Sequence, residues 1–356
     1  MPTKTTTNSG IPQKIFVGID VHLKSWKVSI LLQHSEFQTY SADPSAKQLA
    51  SYLHKNFPGA EYFSAYEAGF CGYSIHRELS ALGIKNIIFN PADIPTSDKD
   101  RKQKEDKRDS RKIARCLKNN ELHGIYIPSI EMMEFRTFVR QRKSLVENLS
   151  SSKTKIKSFL HFNGIKIPIE LDSASTHWSN RFTDWLRSLK MGTGYGKKSL
   201  DSLLKNTDHY RKELLELNKE LRAAEKESQF ADQLRRLRTI PGIGLITACT
   251  ILSEIEDITR FKNADAFCSY IGLVPSTYSS GEKEIVRGIT NRANNAIRAV
   301  IVEAAWISIR RDSSLATRYN ELCYRMKPNE AIIRIAKNLI KRIRYVLKNE
   351  KEYIPM

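Results

Sequence analysis

The sequence predicts an α/β domain followed by helices: a mixed sheet with flanking helices over residues 14–125, a helical coiled-coil connector over 126–238, and a mainly helical domain over 239–356. Three observations predict this. Short apolar runs with strand-like alternation are interleaved with helical periodicity in the first third. Leucine-rich heptads fill the middle. Turns marked by Gly and Pro divide helical stretches in the last third.

Residues 1–13 read as a flexible leader, too polar for a signal peptide. Ile15-Phe16-Val17-Gly18-Ile19-Asp20 is an apolar run that ends in a carboxylate. Trp26 to Leu31 alternates and then merges into an apolar end, and Glu36 to Tyr40 supplies a third strand. Ser45 to Lys55 has helical spacing, with Leu49, Tyr52 and Leu53 on one face. Tyr62 to Tyr66 forms a strand leading to Glu67, Gly72 to Leu82 is helical, and Asn86 to Phe89 is a strand stopped by Asn90-Pro91. Three strands joined by short turns suit an antiparallel meander, whereas the later strand–helix–strand units demand parallel pairing. A charged helix follows.

In the connector, Met132, Phe135, Val139, Leu145, Leu149, Ile156 and Leu160 recur at helical spacing between Ser129 and Phe162. A second helix spans Ser199 to Leu237, where Leu203, Thr207, Tyr210, Leu214, Leu217, Leu221 and Ala224 step by fours and threes. This heptad seam fits either an antiparallel hairpin or an intermolecular coiled coil. An insertion at about 164–198 separates the two. The last third opens on Ile240-Pro241-Gly242-Ile243-Gly244 and closes on a helix from Glu330 to Leu347. That helix has Ile333, Ala336, Leu339, Ile340, Ile343 and Leu347 inward and Arg334, Lys337, Lys341, Arg344 and Lys348 outward.

Lys and Arg total 58 against 39 Asp and Glu, a net charge of +19 on 356 residues. An excess of this size favours a polyanion, nucleic acid ahead of a membrane surface. No apolar run spans a bilayer, and five scattered cysteines without a CxxC pair give no zinc ribbon and suit a reducing compartment. A soluble, cytoplasmic protein is expected.

Four acids stand out by placement. Asp20 and Glu67 end strands, and Asp106 and Asp109 lie three apart on one helix face. Carboxylates gathered this closely repel unless a hard cation such as Mg²⁺ or Mn²⁺ holds them, and paired ions stabilise both oxygens in phosphoryl transfer. Each acid alone reads equally as a turn former or part of a solvated helix. Lys102, Lys104, Lys107, Arg108, Arg111 and Lys112 surround the helical pair and suit a phosphate backbone. The turn at Gly242 and Gly244 resembles a helix–hairpin–helix grip, with bare backbone N–H groups at a helix start; the plainer reading is a tight turn. Tyr278-Ser279-Ser280-Gly281 offers a hydroxyl on a turn, with Arg287, Arg292 and Arg298 near in sequence. By chemistry alone such a Ser-Gly turn is ordinarily structural.

GIDVHLKSWKVSILL, YEAGFCGYSIHREL and KEDKRDSRKIA resemble the DEDD, RuvC-like (RNase H-like) domain of IS110-family transposases. The long segment from Ile240 to Thr290 resembles their IS116/IS110/IS902-type C-terminal domain. The resemblance implies a bacterial or archaeal, nucleoid-associated DNA recombinase whose four acids map to Asp20, Glu67, Asp106 and Asp109. It implies a catalytic serine at Ser280, forming a covalent phosphoserine link to DNA, with Ser279 one residue away and Tyr278 a further candidate nucleophile. It also implies donor and target double-stranded DNA, a structured guide (bridge) RNA, and dimers and tetramers joined through a coiled coil. The chain departs from the family at Ala293, where members often carry Gly. Two readings compete: a RuvC-like metal nuclease or junction resolvase that needs no serine, and a non-catalytic nucleic-acid-binding protein. A strand ending in Gly-Ile-Asp also opens the actin-like ATPase fold, but that reading needs a second phosphate loop and none is evident in the sequence.

Overall fold

The computed structural model describes the backbone of residues 12–32, 38–94, 106–280 and 283–354, and the side chains of these except 106–108, 276–280 and 283–287. The chain divides into two compact units, residues 1–127 and 128–356.

The first unit is a five-stranded mixed sheet in the order β3-β2-β1-β4-β5. β1 (Lys14–Val21), β2 (Trp26–Leu32) and β3 (Gln38–Ala42) form the expected antiparallel meander. β3 lies two residues beyond the expected 36–40, and Glu36 falls outside the described residues. β4 (Glu61–Glu67) and β5 (Lys85–Phe89) add in parallel, as their crossovers require. α1 (Ala46–Asn56) starts where the Ser45 hydroxyl accepts from the Gln48 amide, and α2 (Ser74–Ala81) joins β4 to β5. Alternation sorts the side chains. Ile15, Val17 and Ile19 face a core shared with Leu49 and Leu53 of α1 and Leu79 of α2. Phe16, Phe63 and Ala65 face the other side, with Ile113 and Leu117 of α3 (Asp106–Lys118). Among the described residues, no helix is long and apolar enough to cross a membrane.

In the second unit α4 (Ile130–Phe162) is capped by Ser129, and α5 (Asn180–Ser188) lies in the insertion. α6 (Gly194–Glu227) starts five residues before the expected Ser199, because Thr193 caps it by accepting from the Gly196 amide. The expected single stretch to Leu237 breaks at Ser228. Its hydroxyl bonds back to the Ala224 carbonyl and also accepts from the Phe230 amide. α7 (Ala231–Arg238) then turns Leu234 and Leu237 into the core. α4 and α6 pack antiparallel within one chain: Thr207 bonds Ser152 at 3.0 Å, and Arg142 bonds Asn218 at 2.7 Å. Thr207, Leu217 and Leu221 of the heptad seam are buried and its other members half-buried. The insertion closes the far end of this hairpin with its own small core around Phe182, Leu186, Leu200 and Leu204.

The main core of this unit joins Met132, Val139 and Leu145 of α4 to α8 (Leu245–Ile255), α9 (Ala264–Ile271), α10 (Asn295–Ser308), α11 (Ser313–Cys323) and α12 (Pro328–Asn349). A two-stranded ribbon, β6 (Pro275–Ser280) and β7 (Lys283–Ile289), interrupts the helices. Sequence reading gave only a turn there, because the flanking runs are short and polar. On α12, Ile335, Leu339 and Ile343 are buried and Arg334, Lys341 and Lys348 exposed. Arg344 is a correction to the expected basic face. Its guanidinium turns back to the Phe261 and Lys262 carbonyls at 3.3 and 3.1 Å, so it ties α12 to the loop before α9.

Candidate functional site

Two backbone relations assemble the acidic end of the sheet. The first is register. Gly18 pairs with Ala65 and Ile19 with Tyr66 in the parallel β1–β4 ladder, so its continuation sets Asp20 beside Glu67. Period-two alternation puts both on the face that carries Phe16 and Gly18, the face covered by α3. The second is a close crossing. A Cβ on Gly18 would overlap the Ser110 carbonyl oxygen and crowd the Ala114 amide, so α3 lies directly on β1 only because residue 18 is glycine. Leu117 and Lys118 lie near Lys14 and Phe16, so α3 runs antiparallel to β1 and its N-terminus points toward Asp20. A strand advances about 3.3 Å per residue and a helix about 1.5 Å, so two residues of β1 match about four of α3. Stepping from Gly18 to Asp20 therefore corresponds to stepping from Ser110 back to Asp106.

Hydroxyls pin this crossing. The buried Ser110 bonds Ser29 of β2 at 2.8 Å, and Ser29 bonds Thr39 of β3 at 2.9 Å. Arg111, read as a phosphate contact, donates from Nε to Thr39 at 2.9 Å and so also braces α3 on the sheet. Asp20 is 22% exposed and takes His22 Nε2 at 3.2 Å, while Glu67 is exposed. Lys27, directly opposite Asp20, donates to Ser41. Sequence reading missed His22 and Lys27. Lys27 is legible once β1 and β2 are paired, since opposite residues share a face, and His22 follows Asp20 by two residues just past the end of β1. Lys102 and Lys104 lie outside the described residues, as do the side chains of Asp106, Lys107 and Arg108. Among the described residues, no three His, Cys, Asp or Glu side chains converge closely enough to hold a metal ion. The carboxylate oxygens that Asp20 and Glu67 carry on one face are of the donor type that would suit a hard divalent cation.

In the second unit the Gly242 turn is locked to α10. Ser308 donates to the Pro241 carbonyl, and a Cβ on Gly242, at φ +92°, would overlap the Ser308 hydroxyl. Gly242 thus serves packing. Gly244, the N-cap of α8, is exposed and has open space where a Cβ would stand. Ser280 ends β6, paired with Lys283; its side chain, with those of Tyr278, Ser279 and Arg287, lies outside the described residues. Arg292 is exposed. Arg298 donates to the Thr290 carbonyl at 2.8 Å and to Asn295 at 2.7 Å, bracing the exit from β7. Gly272, at φ +82°, makes room for the methyl of Ala293.

Behind this base lies a carboxylate that sequence reading passed over. Glu254 on α8 is 3% exposed and takes a forked bond from Arg140 at 2.7 and 2.9 Å. Arg136 lies 3.8 Å away, and Asn294 donates at 3.0 Å. Burial pushes its pKa up, but the bonds from Arg140 and Asn294 and the two arginine charges prevail and hold it below the usual range. Outside it, a groove of about 490 Å³ runs between α4 and the start of α10, lined by Arg140, Lys143, Ser144, Glu147, Asn294 and Asn295.

Comparison with known proteins matches both parts. The DEDD model of the IS110 transposases covers residues 17–163, from β1 to the start of the insertion. The model described as "Transposase IS116/IS110/IS902 family" covers residues 234–320, from α7 through the ribbon to α11. The chain is 31% identical to "Putative transposase y4qE" of Sinorhizobium fredii, over 69% of this chain and 58% of that protein. It is 24% identical to the transposase for insertion sequence element IS1533 of Leptospira borgpetersenii, over 83% and 85%. It is also 24% identical to the transposase for IS1111A of Coxiella burnetii, over 66% and 63%. The mixed five-stranded sheet, the acids at its strand ends and these two matches in order agree: the chain belongs to the IS110 family of transposases.

Proposed function

We propose that the protein is a DNA transposase that cleaves and exchanges strands through Ser280. The observation that supports this best is the shared face of Asp20 and Glu67 under the N-terminal end of α3. In this reading the acids and Ser280 act on one scissile phosphate once the protein is assembled on DNA. A divalent cation, Mg²⁺ or Mn²⁺, held by Asp20, Glu67, Asp106 and Asp109, would supply positive charge to the phosphate oxygens. The Ser280 oxygen bonds to phosphorus as a deoxyribose oxygen leaves with a proton. Attack by another strand's hydroxyl then restores a phosphodiester and returns the proton to serine. One P–O bond replaces another at each step, so no external energy source is needed.

Lys102, Lys104, Lys107, Arg108, Arg111, Arg287, Arg292 and the open amides after Gly244 would bind the backbones of donor and target DNA. Gly242 and Arg298 would hold the adjoining turns. A structured guide RNA would select the sites, and the α4–α6 hairpin would join protomers into dimers and tetramers. The net charge of +19 supports a nucleic-acid partner.

A suicide DNA duplex incubated with the protein, its RNA and Mg²⁺ tests the reading. A covalent adduct is expected with the wild type and none with Ser280→Ala. An adduct that persists in the variant overturns the nucleophile, and cleavage retained without any adduct favours a RuvC-like nuclease.

A further inference from the structure

The ribbon that carries Ser280 is anchored at its base by polar bonds rather than by apolar packing alone. Thr290 N–H closes onto the Val274 carbonyl at 3.0 Å, and Asn294 N–H onto the Tyr270 carbonyl at 3.1 Å. Asn294 is the hub. Its Oδ1 caps α10 by accepting from the Ala296 and Ile297 amides, while its Nδ2 donates to Glu254 Oε2 and to the Tyr270 hydroxyl. Tyr270 and Arg260 in turn donate to the Glu254 carbonyl at 3.1 and 3.3 Å. On the far side of Glu254, Arg140 and Arg136 come from α4, and Arg136 also donates to the Ser253 carbonyl at 2.7 Å.

A buried ion pair is a poor device for stability alone, since apolar residues of similar volume often do as well. What this one adds is direction. A planar fork from Arg140 fixes both carboxylate oxygens, and the carboxylate fixes Asn294, the cap of α10 that follows the end of the ribbon at Ile289.

We propose that Glu254 is a positioning residue for strand exchange: the chain Arg140–Glu254–Asn294 links the connector helix α4 to the base of the β6–β7 ribbon and sets where Ser280 stands. This rests on the reading of Ser280 as nucleophile, and the experiment separates the two. Full-length Glu254→Ala, Glu254→Gln, Arg140→Ala and the double alanine variant are compared with wild type. Backbone hydrogen exchange over 272–296, affinity for the suicide duplex, and the single-turnover adduct rate at saturating duplex are measured.

The alanine variant should exchange faster over 272–296 while the insertion core around Phe182 keeps its protection. Its duplex affinity should stay within about twofold, and its adduct rate should fall about a hundredfold, the size expected of a misplaced reacting group. Glu254→Gln, which keeps the shape and one acceptor, should recover much of the rate. The double variant should be no worse than the worse single one, because the two residues act as a unit.

Unchanged exchange over 272–296 overturns the proposal, as does a rate lost only through weaker binding. If Glu254→Ala does not fold, Glu254→Gln and Arg140→Ala decide by the same readouts. An adduct surviving Ser280→Ala would remove the nucleophile, and the exchange measurement would still decide whether Glu254 holds the ribbon.

Discussion

The acidic end of the sheet and the base of the ribbon both gather carboxylates and cations, and they treat them in opposite ways. Glu254 is enclosed at 3% exposure, and its oxygens are spent on Arg140 and Asn294. Asp20 is half-buried beside His22 and Glu67 faces water, both placed by strand register. A carboxylate enclosed by donors fixes geometry. Carboxylates at a sheet end with a water-facing side stand where solvent reaches them. The same side-chain chemistry is enclosed in one unit and reaches the surface in the other.

The largest effect should come from removing an acid at the sheet end. Asp20→Asn is expected to lower the metal-dependent adduct rate by at least about a hundredfold, about 2.7 kcal/mol or more of transition-state charge stabilisation, with the fold intact by circular dichroism. A rate near wild type would break the contrast by making Asp20 structural. Next comes the crossing itself. Gly18→Ala forces a methyl into the Ser110 carbonyl and should cost about 1–3 kcal/mol in denaturant unfolding, with loss of adduct formation. Unchanged stability would mean that α3 does not rest on β1 there. Ser110→Ala removes the bond to Ser29 and should cost about 1 kcal/mol by the same measurement.

Acid should sharpen the comparison further. Burial pushes the pKa of Glu254 and Asp312 up, but hydrogen bonds from Arg140 and Arg342, with those arginine charges, hold both below the usual carboxylate range. A depressed folded pKa contributes stability that is present above the unfolded value and lost as pH falls through the folded one. Glu254→Gln and Asp312→Asn should therefore flatten the acid limb of the melting temperature against pH; an identical limb would show that these pairs are not linked to folding. The smallest effect is chemical. Burial pushes the thiols of Cys116 and Cys249 up to about 11 and about 12, so at neutral pH the native protein should label slowly there and faster at the half-buried Cys323. Rapid labelling of Cys249 would show that the core around α8 opens.

Much of the fold was legible. The apolar run 15–20, the alternation after Trp26 and the short turns gave the meander, the crossover units gave the parallel strands, and heptad steps from Leu203 to Ala224 marked the packed face of α6. The acids could be singled out because each closes a strand or opens a helix. The ribbon escaped because Pro275 to Ser280 is short and polar, and its pairing supplies what its composition does not. Arg344 was read as an outward cation from helical spacing alone, and Arg298 as a charge for the serine turn from its nearness in sequence. Each finds backbone carbonyls on another element, which periodicity cannot reveal.

By itself the sequence determined the order of the elements in the first unit, the excess of positive charge and the positions of Asp20 and Glu67 at strand ends, because these follow from local periodicity and composition. Only the tertiary structure decided that Asp20 and Glu67 share a face beneath α3, that Gly18 permits the crossing, and that Glu254 meets Arg140 from a distant helix. The physical reason is distance along the chain: these relations join residues far apart in sequence, and packing alone brings them into contact.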